Sequence, residues 1–288
     1  MRLLRPPQPY AISEHLRAFS VPGRPSPHLL HGNLWTVVLD SPLAFEIRGE
    51  PWKPRILFEG DEEELSTHLR TDFDYREFLG SLEAFPRLMA LAEKYPGLRP
   101  TRCTSLYRAL ISSIIKQRIP LRVALGIEAE LVSRMGRRAR ILGKPAYGLP
   151  EPERLLEAGV EWLRSLGLFR LKAEAVVEVA RAEIEGRLPR RPWEDVEDAV
   201  RELTRIRGVG RWTAELAIAV VSPGFRVGPT TDLAVRRGLQ RLLGISEREA
   251  VGILGELEEY AGLIMYLAAH DYEKGKGSKR RGGGQGHG

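Results

Sequence analysis

The stretch 203-LTRIRGVGRWTAELAIAVV-221 packs two glycines, three arginines and a tryptophan in and around the turn between two helix-like runs. Gly208 and Gly210 flank Val209, between a helix ending near Ile206 and another starting near Arg211. Glycine permits positive φ and lets a second backbone or a phosphate approach closely. The second helix would point its free N–H groups and positive dipole end outward, which makes the turn a ready anion site. A glycine-capped turn between helices has the same pattern without any ligand. Arg205, Arg207 and Arg211, however, crowd this turn with cations that core packing does not require.

The rest of the chain says what kind of anion to expect. Its 288 residues leave room for two domains, and 43% hydrophobic with 28% charged residues reads as a globular chain. No apolar run approaches the roughly 20 residues that cross a bilayer, and the start MRLLRPPQPY lacks a secretory signal's apolar stretch, so an intracellular protein without a membrane partner is expected. Cys103 is the only cysteine, which excludes an intrachain disulfide, a multi-cysteine zinc site and a four-cysteine iron–sulfur cluster. The six histidines show no metal-ligand spacing, so chemistry falls to carboxylates, hydroxyls or water. A formal charge of +6 favours an anionic partner, and an extended polyanion suits the hairpin.

Residues 1–71 read as a small α+β unit with an antiparallel sheet. LWTVVLD, LAFEIRG and PRILFEG are short β-branched and aromatic runs set off by Pro and Gly. From DYREFLGSLEAFPRLMALAEKYPG the apolar spacing turns helical and stays so to about residue 270, which predicts a helical domain over 72–272. Helices are expected over 105–117, 121–135, 151–166, 171–186, 195–206, the quoted element, 232–243 and 246–270, with a break at PRRPWED. The end, 273–288, is basic and glycine-rich and reads as a mobile tail. The fold class is therefore mainly α, with an α+β unit in front.

Twenty residues beyond Trp212 comes GPTTDLAVRRGLQRLLG, with Asp232 where the next helix begins. An aspartate there is a natural N-cap, and a helix start favours its negative charge. A carboxylate so held can also stabilise a developing cation or activate a water. Trp212 lies on a stripe with Leu216 and Val220, which makes it either plain core or a flat wall for stacking an extruded base.

These residues resemble the helix-hairpin-helix DNA glycosylases with the Gly/Pro…Asp signature, most nearly the 3-methyladenine DNA glycosylase II type. LTRIRGVGRWTAE matches the hairpin and GPTTD the loop with its aspartate. YPGLRPTRCTSLYRALISSIIKQRI, LRSLGLFRLKAEAVVEVARAEIEG and EEYAGLIMYLAAHDY extend the likeness over residues 95–272. The resemblance implies a helix-hairpin-helix glycosylase bundle in which Asp232 is the catalytic aspartate. Strand-cleaving members carry a lysine where this chain has Trp212, so a monofunctional enzyme using water is implied. It also implies that the hairpin, Arg207 to Arg211 with Gly208, Val209 and Gly210, binds a DNA phosphate. The carbonyls of Thr204, Ile206 and Val209 match those that hold a sodium or potassium ion, and no other cofactor is implied. The loop KQRIP, with Gln117, Arg118 and Ile119, matches the one that plugs the gap left by a flipped base. Leu216 stands where alkylbase enzymes often carry a tyrosine, and Tyr260 where their last helix starts Trp-rich, so the base pocket is expected from Trp212, Tyr260 and Leu216.

The implied reaction is hydrolysis of the N-glycosidic bond of a damaged, alkylated purine in duplex DNA by a monomer, the first step of base excision repair. An alkylated purine is already cationic, so it leaves without much acid help. Two alternatives stay open: a glycosylase for oxidised or deaminated bases, and a non-catalytic DNA clamp. A clamp, however, would avoid a carboxylate such as Asp232 near phosphates.

Overall fold

The β-branched and aromatic runs near the start pair as an antiparallel sheet in the computed structural model, which describes residues 1–189 and 195–282. The strands are β1 (Arg2–Leu4), β2 (Leu29–His31), β3 (Leu34–Val38), β4 (Pro42–Arg48) and β5 (Arg55–Glu59), in the order β1-β5-β4-β3-β2. Trp35 pairs with Phe45 and Phe45 with Phe58, so the large rings share one face. Leu16 from α1 (Ser13–Ala18) and Leu65 and Leu69 from α2 (Glu62–Leu69) pack against them.

Two helical lobes follow. The chain first lays down α3 (Tyr75–Ser81) and α4 (Pro86–Lys94). It then builds α5 (Leu106–Lys116), α6 (Leu121–Met135), α7 (Pro152–Ser165), α8 (Arg170–Ile184), α9 (Val196–Thr204) and α10 (Arg211–Val221) around Leu110, Ile114, Leu131, Val176, Leu203 and Ile218. Finally it returns to α3 and α4 with α11 (Leu233–Leu243), α12 (Glu247–Glu256) and α13 (Ala261–Gly282), closing a second core on Tyr75, Phe78, Leu88, Leu239 and Ile264. The hairpin between α9 and α10 thus belongs to one lobe and α11 to the other. The connection from α10 to α11 crosses the seam.

Three expectations need correction. The helical pattern does not run unbroken from residue 72, because β6 (Arg137–Ile141) and β7 (Lys144–Gly148) form a hairpin that rejoins the sheet unit. Its Pro145 carbonyl accepts the Thr36 hydroxyl at 2.8 Å, and a Cβ on Gly148 would sit 2.2 Å from the Val38 carbonyl oxygen. Contact with β3, rather than a long alternating pattern, makes these five-residue segments strands. The helix expected over 246–270 is broken by a 3-10 turn at Glu258–Tyr260. And the tail expected from 273 is helical through Gly282: the buried turns of α13 supply the costly nucleus, after which each residue adds one bond. An ion pair from Lys274 to Glu14 holds the start of that extension. Residues 283–288 lie outside the described residues, as do 190–194 within the expected PRRPWED break. No described helix is long and apolar enough to cross a membrane.

Candidate active site

The two hairpin glycines do different work. Gly208 has φ 86°, and a Cβ there would lie 2.4 Å from Ala175 Cβ on α8, so glycine is needed for both backbone and packing. Gly210 is the N-cap of α10 at φ −87°, ψ 172°, an ordinary extended conformation with open space around it. It offers no side-chain hydrogen bond to the helix's first turn, so the first N–H groups of α10 are not capped by it. Between the glycines Val209 is buried, and with Ile206 it anchors the turn in the first lobe.

Gln117, at the end of α5, donates from Nε2 to the Gly208 carbonyl (3.0 Å) and to Thr213 Oγ1 (2.8 Å). These bonds brace the hairpin, a role for which the sequence carried no sign. The same loop presents Arg118, exposed and at φ 49°, while Ile119 packs against the first lobe. Of the two wedge candidates Arg118 is therefore the one that projects. Arg205 is exposed, and Arg207, 74% exposed, faces Glu174 at 3.1 Å in ion-pair range but without hydrogen-bond geometry. Arg211 is not a free cation: its guanidinium grips Glu197 with two bonds (2.7 and 2.9 Å) and Glu215 with a third (2.7 Å). The hydrogen bond to Glu197 first, then that to Glu215, raises its pKa.

Asp232 caps α11, its Oδ1 accepting the N–H of Ala234 (2.8 Å) and Val235 (3.1 Å). Its other oxygen, Oδ2, accepts the Trp212 indole N–H at 2.8 Å. This bond bridges the seam, since Trp212 opens α10 and Asp232 opens α11. The approach is prepared along the connection. Arg70, buried at the end of α2, donates to the Pro223 carbonyl (2.8 Å) and stacks over Phe225 (4.5 Å). Gly262 donates to the Phe225 carbonyl (2.6 Å), and a Cβ on it would meet the Val227 carbonyl oxygen at 2.1 Å. The Asp232 N–H then closes a turn on the Pro229 carbonyl at 2.9 Å.

Trp212, Leu216 and Val220 are half-buried, because α10 turns its other face, with Ala214, Ala217, Ile218 and Val221, into the core. Trp212 belongs to neither lobe's core. Tyr260 is half-buried, and its ring meets Phe73 (centroids 6.2 Å) and Phe78 (5.4 Å) in the second lobe. Two features escaped the sequence reading. Glu215 is buried and accepts from Arg211, Thr230 and Thr231; its only signal was standing four residues after an arginine on one helix. Phe169 and Leu171, which nothing in the sequence singled out, are 71% and 69% exposed at the start of α8, where the Leu171 carbonyl oxygen lies 3.5 Å from a Cβ built on Gly208.

A phosphate-ready hairpin joined across a seam to a helix-capping aspartate is the arrangement of one class of DNA repair protein. The chain belongs to the HhH-GPD superfamily of base excision DNA repair proteins, whose family model matches residues 111–260. It is 34% identical to DNA-3-methyladenine glycosylase 2 of Escherichia coli (strain K12) over 120 residues, 41% of this chain and 42% of that protein. The chain therefore spans less than half the length of that relative. It is also 24% identical over 230 residues to the putative DNA-3-methyladenine glycosylase YfjP of Bacillus subtilis (strain 168), covering 77% of this chain and 79% of that one. Among solved structures, the 3-methyladenine DNA-glycosylase from Archaeoglobus fulgidus superposes with a TM-score of 0.80 at 29% identity, over 94% of this chain and 98% of that one.

Proposed function

We propose that the protein is a monofunctional DNA glycosylase that hydrolyses the N-glycosidic bond of alkylated purines flipped out of duplex DNA, acting as a monomer inside the cell. The observation that carries this reading is the Asp232 carboxylate, tied down at the seam by three donors. Two of its lone pairs are spent on Oδ1 and one on Oδ2, so Oδ2 keeps one to face an oxocarbenium-like sugar or to orient water. Among the described residues its partners are an indole and two backbone amides, none of them an amine that could form a Schiff base. With Trp212 standing where strand-cleaving members carry a lysine, water is the nucleophile of the proposed reaction.

The neighbouring features fit the same task. The uncapped N–H groups after Gly210 suit a phosphate, and Arg118 with exposed Phe169 and Leu171 gives a cation and an apolar wedge beside the hairpin. Trp212 offers a π-face at the carboxylate, which attracts a cationic base by roughly 0.5–2 kcal/mol. The carbonyls of Thr204, Ile206 and Val209 suit a weakly held sodium or potassium ion, although Ile206 spends one lone pair on the Val209 N–H (3.0 Å). The names of the three relatives given above, each a 3-methyladenine glycosylase, favour alkylated over oxidised bases.

A panel of single-lesion duplexes tests the proposal. Release of 3-methyladenine or 7-methylguanine, leaving an abasic strand that breaks only after alkali and no borohydride-trapped complex, is expected. Release of 8-oxoguanine without any alkylated purine would move the substrate to oxidised bases. A trapped covalent complex would replace water with an amine.

A further inference from the structure

Glu215 is 4% exposed and lies one turn into α10. Its Oε1 accepts from Arg211 Nε (2.7 Å) and Thr230 Oγ1 (3.3 Å), and its Oε2 from Thr231 Oγ1 (3.1 Å), with the Thr231 N–H at 3.5 Å. A buried carboxylate is costly unless its oxygens are well supplied with donors. Arg211 alone would answer the charge. The remaining donors come from the two residues immediately before Asp232, so one carboxylate ties the start of the hairpin helix to the turn that presents the aspartate.

We infer that Glu215 is a positioning residue, which sets the Pro229–Asp232 turn against α10 so that Asp232 Oδ2 meets the Trp212 indole. The geometry separates this role from simple support of the hairpin. Arg211 keeps its two bonds to Glu197 when Glu215 is lost, and Gln117 still braces Gly208. What loses its tether is the threonine pair of the turn; Asp232 itself keeps its N–H bond to Pro229 and its carboxylate bonds to Ala234, Val235 and Trp212, of which only the last ties the turn to α10. The inference rests on the proposed role of Asp232 for its catalytic consequence, but the coupling from Glu215 to the Trp212–Asp232 bond does not.

The experiment compares wild type, Glu215→Gln, Thr231→Val and the double variant by three readouts: single-turnover release of 7-methylguanine, affinity for an abasic-site duplex, and the Trp212 indole N–H resonance, assigned with Trp212→Phe. Glu215→Gln should slow release by about tenfold or more, since small misplacements of a reacting group are costly, with duplex affinity held within about twofold. Its indole resonance should move as the bond to Asp232 loosens. Thr231→Val should show the same changes to a smaller degree, and the double variant should be no slower than Glu215→Gln. An unmoved indole with an unchanged rate would overturn the inference, as would a rate loss matched by an equal loss of affinity. If wild type releases no alkylated base, the proposed function fails while the indole resonance still decides the positioning role. If Glu215→Gln does not fold, Thr231→Val decides it.

Discussion

The junction between the sheet unit and the helical lobes uses the same residue types as the hairpin side, and treats them in the opposite way. At the junction Arg99 is fully buried, donating to the carbonyls of Pro9, Arg70, Phe73 and Gly97 at 2.9–3.0 Å and lying over the rings of Tyr10, Phe73 and Tyr75. His68 Nδ1 sits 2.6 Å from the Arg102 carbonyl and must donate to it. Its Nε2 is then the acceptor of the 2.8 Å bond to His28, whose Nε2 carries the proton. At the hairpin the first-turn N–H groups of α10 are uncapped, Arg118, Arg205 and Arg207 are exposed, and Asp232 is half-exposed. Arg99 and the His68–His28 pair spend their donors and acceptors on the chain's own atoms and hold the fold, whereas the exposed hairpin groups keep open valence for another molecule. The distinction is the number of unfilled donors and acceptors, not the kind of side chain.

The comparison breaks if a saturated group proves catalytic or an open one proves structural. Asp232→Asn should lower single-turnover base release by about 10²–10³-fold, as loss of a preorganised charge does. Its thermal stability should barely move, because asparagine caps a helix about as well. An unchanged rate would remove Asp232 from the chemistry. Arg99→Leu should do the reverse, costing about 3 kcal/mol in urea unfolding by leaving the Pro9 and Phe73 carbonyls without their donor, while those of Gly97 and Arg70 keep the N–H of Ala11 and Phe73 and the folded fraction keeps its turnover. A lowered turnover with unchanged stability would place Arg99 on the wrong side of the divide.

The glycines sharpen the contrast within one turn. Gly208→Ala meets Ala175 Cβ at 2.4 Å and needs φ 86°, so it should destabilise by about 1–3 kcal/mol. At Gly210 a Cβ meets nothing, so Gly210→Val should cost only about 0.5–1 kcal/mol, as a poorer N-cap, but should weaken binding to every duplex alike, lesion or none. A weakening confined to one lesion would take the hairpin away from the phosphates.

The smallest expected effect is in acid. Burial depresses the pKa of His68 to about 4, against a raising contribution from the Arg102 carbonyl, and that of His15 to about 3. Both stand below the ordinary 6.5, so between those values the unfolded chain binds the proton and the folded chain does not. Their contribution to stability is therefore full above pH 6.5, is lost as pH falls toward 4 for His68 and 3 for His15, and changes no further below. The step from pH 6.5 to 5.5 should cost about 1 kcal/mol for each histidine. His68→Gln should flatten the profile measured by urea unfolding, and an unchanged slope would contradict a neutral, buried His68.

Much of the open side could be read from sequence, because its signals are local. A glycine pair between two periodic helices, and an aspartate at the start of a third, need no knowledge of the rest of the chain. What could not be read depends on partners far along it. Gly208 and Gly210 look alike until α8 is seen against one of them. Arg211 looks free until Glu197, fourteen residues back, takes its guanidinium. The ring contacts of Tyr260 with Phe73 and Phe78 could not be read either, since both partners lie more than 180 residues earlier. The hairpin of β6 and β7 owes its strands to β3, a hundred residues earlier, and the helical end of the chain owes its order to a nucleus packed in the second lobe. Glu215 left only a weak i,i+4 signal, since its threonine partners lie beyond the next connection.

The most direct test of the account is a crystal structure with a duplex carrying a stable cationic sugar analogue at the lesion site. The account predicts a phosphate on the N–H groups that follow Gly210, Arg118 in the gap left by the extruded nucleotide, and Asp232 Oδ2 beneath the analogue within about 3–3.5 Å of its cationic centre. A duplex bound on another face, or an analogue held away from Asp232 with the hairpin empty, would contradict it.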